Sequence, residues 1–136
     1  MHSADKILTA ITLISLPTVM FGGYSLLRLR GARRLTDFQA TFFRAGHAHA
    51  GVMLVLTLAS LSVAARFGLS EPMTWVVGLL LLVGTLALSG GMFAHMGFGA
   101  PGSWSWGNTL SAVGALLLAA GLLTLTYGVI TAEPTS

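Results

Sequence analysis

The chain has 136 residues, of which 54% are hydrophobic and 8% are charged, and its formal net charge at pH 7 is +3. Soluble domains carry about a quarter charged residues, so this composition excludes a water-exposed globular surface and indicates the bilayer as solvent. The absence of cysteine excludes disulfides, thiolate metal sites and CxxC redox motifs.

The basic character of the chain comes mainly from one short run between apolar segments, Arg28, Arg30, Arg33 and Arg34. A basic balance can mark nucleic-acid binding, but a run in this place is typical of a membrane-topology signal. We therefore expect no nucleic-acid partner, and we expect this linker to be cytoplasmic.

The first of four long apolar segments covers about 7–29 and ends at the arginine run. A secretory signal peptide has its cations before the apolar stretch, whereas here they follow it, so we expect a retained membrane helix. Pro17 removes a backbone hydrogen bond and predicts a kink. The adjacent Gly22 and Gly23 would allow a neighbouring helix to approach closely.

The second segment, about 37–66, opens with Thr36-Asp37-Phe38-Gln39, the pattern of an N-terminal capping box. A helix of this length would extend about 45 Å, whereas the hydrocarbon core of a bilayer is about 30 Å thick. We expect its first turns to lie in the cytoplasmic headgroup layer, with His47 and His49 about one turn inside the apolar region.

The third and fourth segments cover about 73–97 and 107–130, and a glycine-rich loop with Pro101 separates them. We expect residues 67–72 to form a turn on the outer face. The 17 glycines suit close helix packing in lipid, but no internal repeat emerges from their positions. The sequence thus predicts one domain over 1–136, an all-α four-helix transmembrane bundle with both termini on the outer face, in the plasma membrane of a bacterium.

Three histidines define the candidate site. His47 and His49 lie near the start of the second segment and His95 near the end of the third, so antiparallel packing would place all three at one depth. His47 and His49 point about 200° apart on a helix, so both cannot reach one atom. We expect His47 to face inward, because Gly51 leaves space one turn later and Arg44 needs a polar neighbour.

Polar side chains at membrane depth are costly and often functional, and several functions stay open for these histidines. One is a metal or haem site, since imidazole suits haem iron and ions of copper, zinc or iron, and methionines near His95 could add thioether ligands. Another is a proton-relay or small-ligand transport site that also uses Asp37 and Asn108. A third is a structural layer in which each histidine donates to a backbone carbonyl or holds a second subunit.

We take the metal or haem site as the leading hypothesis, with the candidate residues His47, His49, His95, Arg44, Met92 and Met96. The alternative is an accessory or assembly subunit of a larger membrane complex. We expect the lipid bilayer and either a second copy of the chain or a larger membrane complex as partners. No GxSxG, HExxH or phosphate-loop motif is present, which favours a non-enzymatic role.

The segment 42–51 is distantly similar to the haem-ligating helices of oxidase-type proteins. That resemblance covers part of one helix, and no residue role is taken from it. His2 and Glu133 lie in the terminal tails, and we assign no role to them.

Overall fold

The computed structural model describes residues 3–132, which form four helices and no strand. Helix α1 is Ser3–Gly31, α2 is Asp37–Arg66, α3 is Glu71–Phe98 and α4 is Trp106–Thr131. Each helix is long and apolar enough to cross a membrane. The all-α prediction with four helices is confirmed, and the helices support an integral membrane protein. His2 and Glu133 lie outside the described residues.

Capping interactions determine where these helices begin. The Thr36 hydroxyl accepts a hydrogen bond from the Gln39 N–H at 3.2 Å, and Gln39 Oε1 accepts one from the Thr36 N–H at 3.1 Å. The predicted capping box of α2 is therefore confirmed. Glu71 and Pro72 were expected in a turn but belong to the first turn of α3. Proline fits there because the N–H groups of a first helical turn have no intrahelical acceptor, so its missing N–H costs no hydrogen bond.

Helix α1 also starts earlier than predicted. Glu71 Oε1 accepts hydrogen bonds from the Ala4 N–H, at 3.3 Å, and from the Ser3 hydroxyl. The first N–H groups of a helix have no intrahelical acceptor, so this carboxylate satisfies a donor at the start of α1. The interaction also fixes the start of α1 beside the start of α3.

Helix α3 is central to the fold. It packs against each of the other helices, whereas α1 and α4 make no contact with each other within the described residues. Helices joined by short linkers are antiparallel neighbours, as expected. The fold therefore has an arginine end, which carries Arg28, Arg30, Arg33, Arg34 and Arg44, and a Glu71 end, where Ser3 meets Glu71.

Two apolar cores lie toward the Glu71 end. The core between α2, α3 and α4 contains Ala64, Leu69, Val77, Leu81, Leu118 and Leu125. The core that fixes the start of α1 contains Ala4, Leu8 and Leu61. Leu8 packs on Gly78 of α3, where an added Cβ would lie 3.0 Å from Leu8 Cδ2. The first turns of α1 are therefore anchored, while its middle belongs to neither core.

Helix α4 packs against α3 through buried glycines spaced seven residues apart, which are Gly107, Gly114, Gly121 and Gly128. Seven residues make nearly two helical turns, so the glycines form one stripe. A Cβ at Gly107 would lie 2.6 Å from the Gly91 carbonyl oxygen. The backbones of α3 and α4 are therefore in direct contact, as small residues allow in lipid.

Candidate functional site

A groove of about 500 Å³ lies between α1, α2 and α3. Helix α1 lines it with Ile11, Ser15, Thr18, Val19 and Gly22; α2 with His47, Ala50 and Leu54; and α3 with Leu82, Val83, Thr85, Leu86, Ser89, Gly90 and Phe93. On its rim, Leu86 is 74% exposed and Val83 is 51% exposed. The groove therefore opens sideways, toward the surface that would face lipid.

His47 lies at the end of the groove nearest the arginine end. Its half-buried ring is against α1, where an added Cβ at Gly22 would lie 3.3 Å from Nδ1 and one at Gly23 would lie 2.9 Å from Nε2. The close approach predicted at this glycine pair is confirmed, and the approaching group is the imidazole. Within residues 3–132, neither ring nitrogen of His47 has a hydrogen-bond partner.

Ser89 lies on the α3 wall of the groove and is 5% exposed. Helical serine and threonine side chains commonly donate to the carbonyl four residues earlier. Among the other hydroxyls that line the groove, Ser15 of α1 donates to the Ile11 oxygen at 2.8 Å and Thr85 of α3 donates to the Leu81 oxygen at 2.7 Å. Ser89 Oγ has no partner among the described residues. A buried hydroxyl in that state costs about 1–3 kcal/mol.

His47 and Ser89 lie at matching depths. From the bounds of α2 and α3 and a rise of 1.5 Å per residue, each lies about 7 Å from the midpoint of its helix, toward the arginine end. With the helix midpoints at the bilayer centre, both side chains are about 8 Å inside the boundary of a hydrocarbon core about 30 Å thick. These two polar positions are therefore well below the headgroups.

His49 lies on an exposed side of α2, as the helical angle predicts. Its Nδ1 is 2.7 Å from the Ala45 carbonyl oxygen. A carbonyl only accepts, so we assign the ring proton to Nδ1. This is the backbone pairing that the structural hypothesis predicts. His47 is the histidine that faces a neighbouring helix, as expected, because Gly22 and Gly23 make room for it.

His95 lies in the last turn of α3, beside the connection to α4, and is 3% exposed. Its Nδ1 is 2.7 Å from Ser105 Oγ, at the N-cap of α4. Ser105 Oγ accepts from the Gly107 N–H at 3.2 Å and donates its own proton to Asn108 Oδ1 at 3.2 Å. His95 Nδ1 is then the donor to Ser105, and the hydroxyl is fully satisfied. His95 therefore has a structural role in this connection.

The ring of His95 also packs edge-on against Phe38 and Phe42, with centroids 5.4 and 4.4 Å apart. These residues belong to the first turns of α2, and Phe42 precedes His47 by about 7.5 Å along the helix axis. His95 and His47 thus have different neighbours at different depths. The structure does not bring them into one shared site, nor into the single layer expected from the topology.

The remaining candidate residues lie outside the groove lining. Arg44 is exposed, one turn before His47, and Met92 and Met96 are half-buried on α3. The described residues contain no group of three or more His, Cys, Asp and Glu side chains that could hold a metal ion. Metal or haem binding therefore stays a prediction without support from a ligand cluster in residues 3–132.

Sequence reasoning missed both the groove and Ser89. No local pattern distinguishes Ser89 from the serines and threonines that do bond to their own helix. The glycines of α4 were a usable signal, because a seven-residue spacing indicates that α4 pairs tightly with one helix and leaves α1 less tightly packed.

Comparisons of the chain with protein-family models, with curated proteins and with solved structures found no match.

Proposed function

We propose that this protein binds a lipid-soluble small molecule in the groove between α1, α2 and α3. The observation that carries the proposal is that His47, whose half-buried ring lines an otherwise largely apolar groove, has no hydrogen-bond partner among the described residues. Polar groups below the headgroups are costly, and they commonly mark a ligand or ion pathway. A ligand oxygen in the groove would satisfy the His47 ring.

The packing of α1 supports access to the groove from the bilayer. Helix α1 is held by Leu8 near the Glu71 end and by Gly22 and Gly23 against His47 near the arginine end. The segment between them forms one wall of the groove and contains Pro17, which lacks an N–H and so leaves one helical hydrogen bond unmade. This wall of the groove is therefore easier to displace than α4, whose backbone contacts α3.

A groove-filling substitution tests the proposal. Gly90 lines the groove, and a Cβ added there meets no heavy atom within 4 Å, so we expect the Gly90→Leu side chain to fill part of the groove. Gly97 is also on α3 and equally unhindered, but it does not line the groove, so Gly97→Leu is the matched control.

The measurement is the lipid that copurifies with each protein in detergent, extracted with organic solvent and quantified by mass spectrometry. We expect one compound in near-stoichiometric amount with the wild type and with Gly97→Leu, and its loss from Gly90→Leu. Identical lipid profiles for all three proteins would refute the proposed function.

The metal or haem hypothesis has one supporting feature, which is that His47 faces a cavity. Ligating imidazoles usually donate their second nitrogen to a carboxylate, carbonyl or water, and no described residue supplies such a group to His47. No other described histidine lines the groove. An absorbance spectrum with elemental analysis discriminates the two proposals. A Soret band or stoichiometric metal that is lost in His47→Ala would favour the metal site.

An accessory role in a larger complex and self-association stay proposals, which cross-linking in membranes followed by affinity purification would test.

We also propose that the arginine end is cytoplasmic and both termini are outside, in a bacterial plasma membrane. The chain has no cysteine, so Arg33→Cys introduces a unique label site. We expect a membrane-impermeant thiol reagent to label it only after permeabilisation, and labelling in intact cells would invert the topology.

A further inference from the structure

Resting on the proposed groove function, we propose that the ligand is an apolar chain ending in one uncharged oxygen function, a hydroxyl or a carbonyl. That oxygen pairs with His47, and the chain runs toward the Glu71 end. The charge, the depth and the hydrogen-bonding groups of the groove carry this inference.

The groove lining contains no lysine, arginine, aspartate or glutamate among the described residues. An ionised phosphate or carboxylate moved into such a site would lose its hydration without gaining an opposite charge, which costs far more than moving a neutral oxygen. Arg44 is exposed and one turn nearer to the arginine end, outside the lining. The groove therefore favours an uncharged ligand.

Depth excludes the ordinary bilayer phospholipids. With the helix midpoints at the bilayer centre, His47 and Ser89 lie about 8 Å inside the hydrocarbon boundary. A phospholipid keeps its phosphate in the headgroup layer, so it cannot also place that phosphate beside His47. A molecule dissolved wholly in the hydrocarbon, such as an alkyl or isoprenoid alcohol or an alkylated quinone, can reach this side chain.

The hydrogen-bonding groups suit a single neutral oxygen. A neutral imidazole has one donor and one acceptor nitrogen. A ligand hydroxyl could donate to His47 or accept from it, whereas a ligand carbonyl could only accept from it. From Gly22 to Ile11 on α1 the groove extends about 16 Å toward the Glu71 end, past the apolar Leu82. This length suits an apolar chain.

The test is photolabelling of the full-length protein in phosphatidylcholine nanodiscs. The label is dodecanol that carries a diazirine, and the competitors are dodecanol, dodecyl benzoquinone and dodecyl phosphate. We expect the label on the groove rim, at Val83 or Leu86, and we expect at least one neutral competitor to displace it at a concentration about tenfold lower than the phosphate. The more effective neutral competitor shows whether the natural oxygen is a hydroxyl or a carbonyl.

Variants then assign the polar contacts. His47→Phe should weaken displacement by the neutral competitor about threefold to tenfold, because it removes one uncharged hydrogen bond. His47→Gln keeps hydrogen-bonding groups and should restore much of the loss. Arg44→Gln should have no effect. Circular dichroism of each variant in the same nanodiscs confirms that it is folded.

The outcomes separate this inference from the proposed function. If dodecyl phosphate displaces the label as well as the neutral compounds do, and Arg44→Gln abolishes that displacement, the uncharged class is wrong while groove binding stands. If the label spreads over all lipid-facing surfaces and Gly90→Leu leaves it unchanged, groove binding itself is wrong.

Discussion

Replacing Gly114 by alanine should force α4 away from α3. The added Cβ would lie 2.7 Å from the Gly84 carbonyl oxygen and 2.7 Å from Leu88 Cα. The added Cβ would lie closer still to the Leu88 backbone nitrogen. Favourable carbon–oxygen contacts begin at about 3.3 Å, so relief of the contact with the Gly84 oxygen alone requires the helices to separate by about 0.6 Å. Because the opposing atoms belong to the backbone, no change of rotamer can relieve the clash.

The cost follows from what that separation disturbs. The Ser111 hydroxyl donates to the Leu88 carbonyl oxygen at 2.9 Å, and the shift would lengthen this bond to about 3.5 Å, where it is effectively lost at a cost of about 0.5–1.5 kcal/mol. Overpacking a close-packed interior costs about 1–3 kcal/mol more, while alanine gains about 1 kcal/mol over glycine in helix propensity. We therefore expect a net destabilisation of about 1–3 kcal/mol.

The assay is unfolding of the detergent-solubilised protein by titration with sodium dodecyl sulfate, followed by far-UV circular dichroism. Gly90→Ala is the control, because it is also in a helix interior but its Cβ meets no heavy atom within 4 Å. We expect the control to be at least as stable as the wild type and Gly114→Ala to unfold at lower detergent fraction. Equal midpoints for the two variants would show that backbone contact does not hold α4 to α3.

Three other substitutions probe the histidines. His95→Ala should lower the free energy of unfolding by about 2–4 kcal/mol, because a buried ring and its hydrogen bond to Ser105 are lost. In a double-mutant cycle with Ser105→Ala the two losses should be non-additive, and additive losses would show that the two side chains do not interact. His49→Ala should change thermal stability by less than about 0.5 kcal/mol, since its one hydrogen bond among residues 3–132 is to its own helix. A larger loss would indicate a partner on that face. Gly23→Ala should displace the His47 ring and deplete the copurifying lipid. The unfolding midpoint should stay nearly unchanged, because the imidazole can rotate away from the added methyl group. An undiminished amount of lipid would contradict a role for His47 in the groove.

The sequence by itself determined the elements of this fold. A long apolar run must form a helix in lipid, because only a helix satisfies its backbone groups within one segment, and this requirement places four helices whatever their neighbours are. Local chemistry then sets the boundaries, as the capping box at Thr36 shows. The opposite directions of His47 and His49 follow in the same way from helical geometry.

Only the tertiary structure decided which face of each helix meets which neighbour. In a soluble protein the apolar face marks the core, but in a membrane the lipid-facing surface is as apolar as the interior, so hydropathy does not distinguish them. Small residues make that choice here, with the α4 glycines against α3 and Gly23 against His47. The unpaired Ser89 hydroxyl, the structural bond of His95 and the groove on the α1 side of α3 all result from this packing, which no single segment encodes.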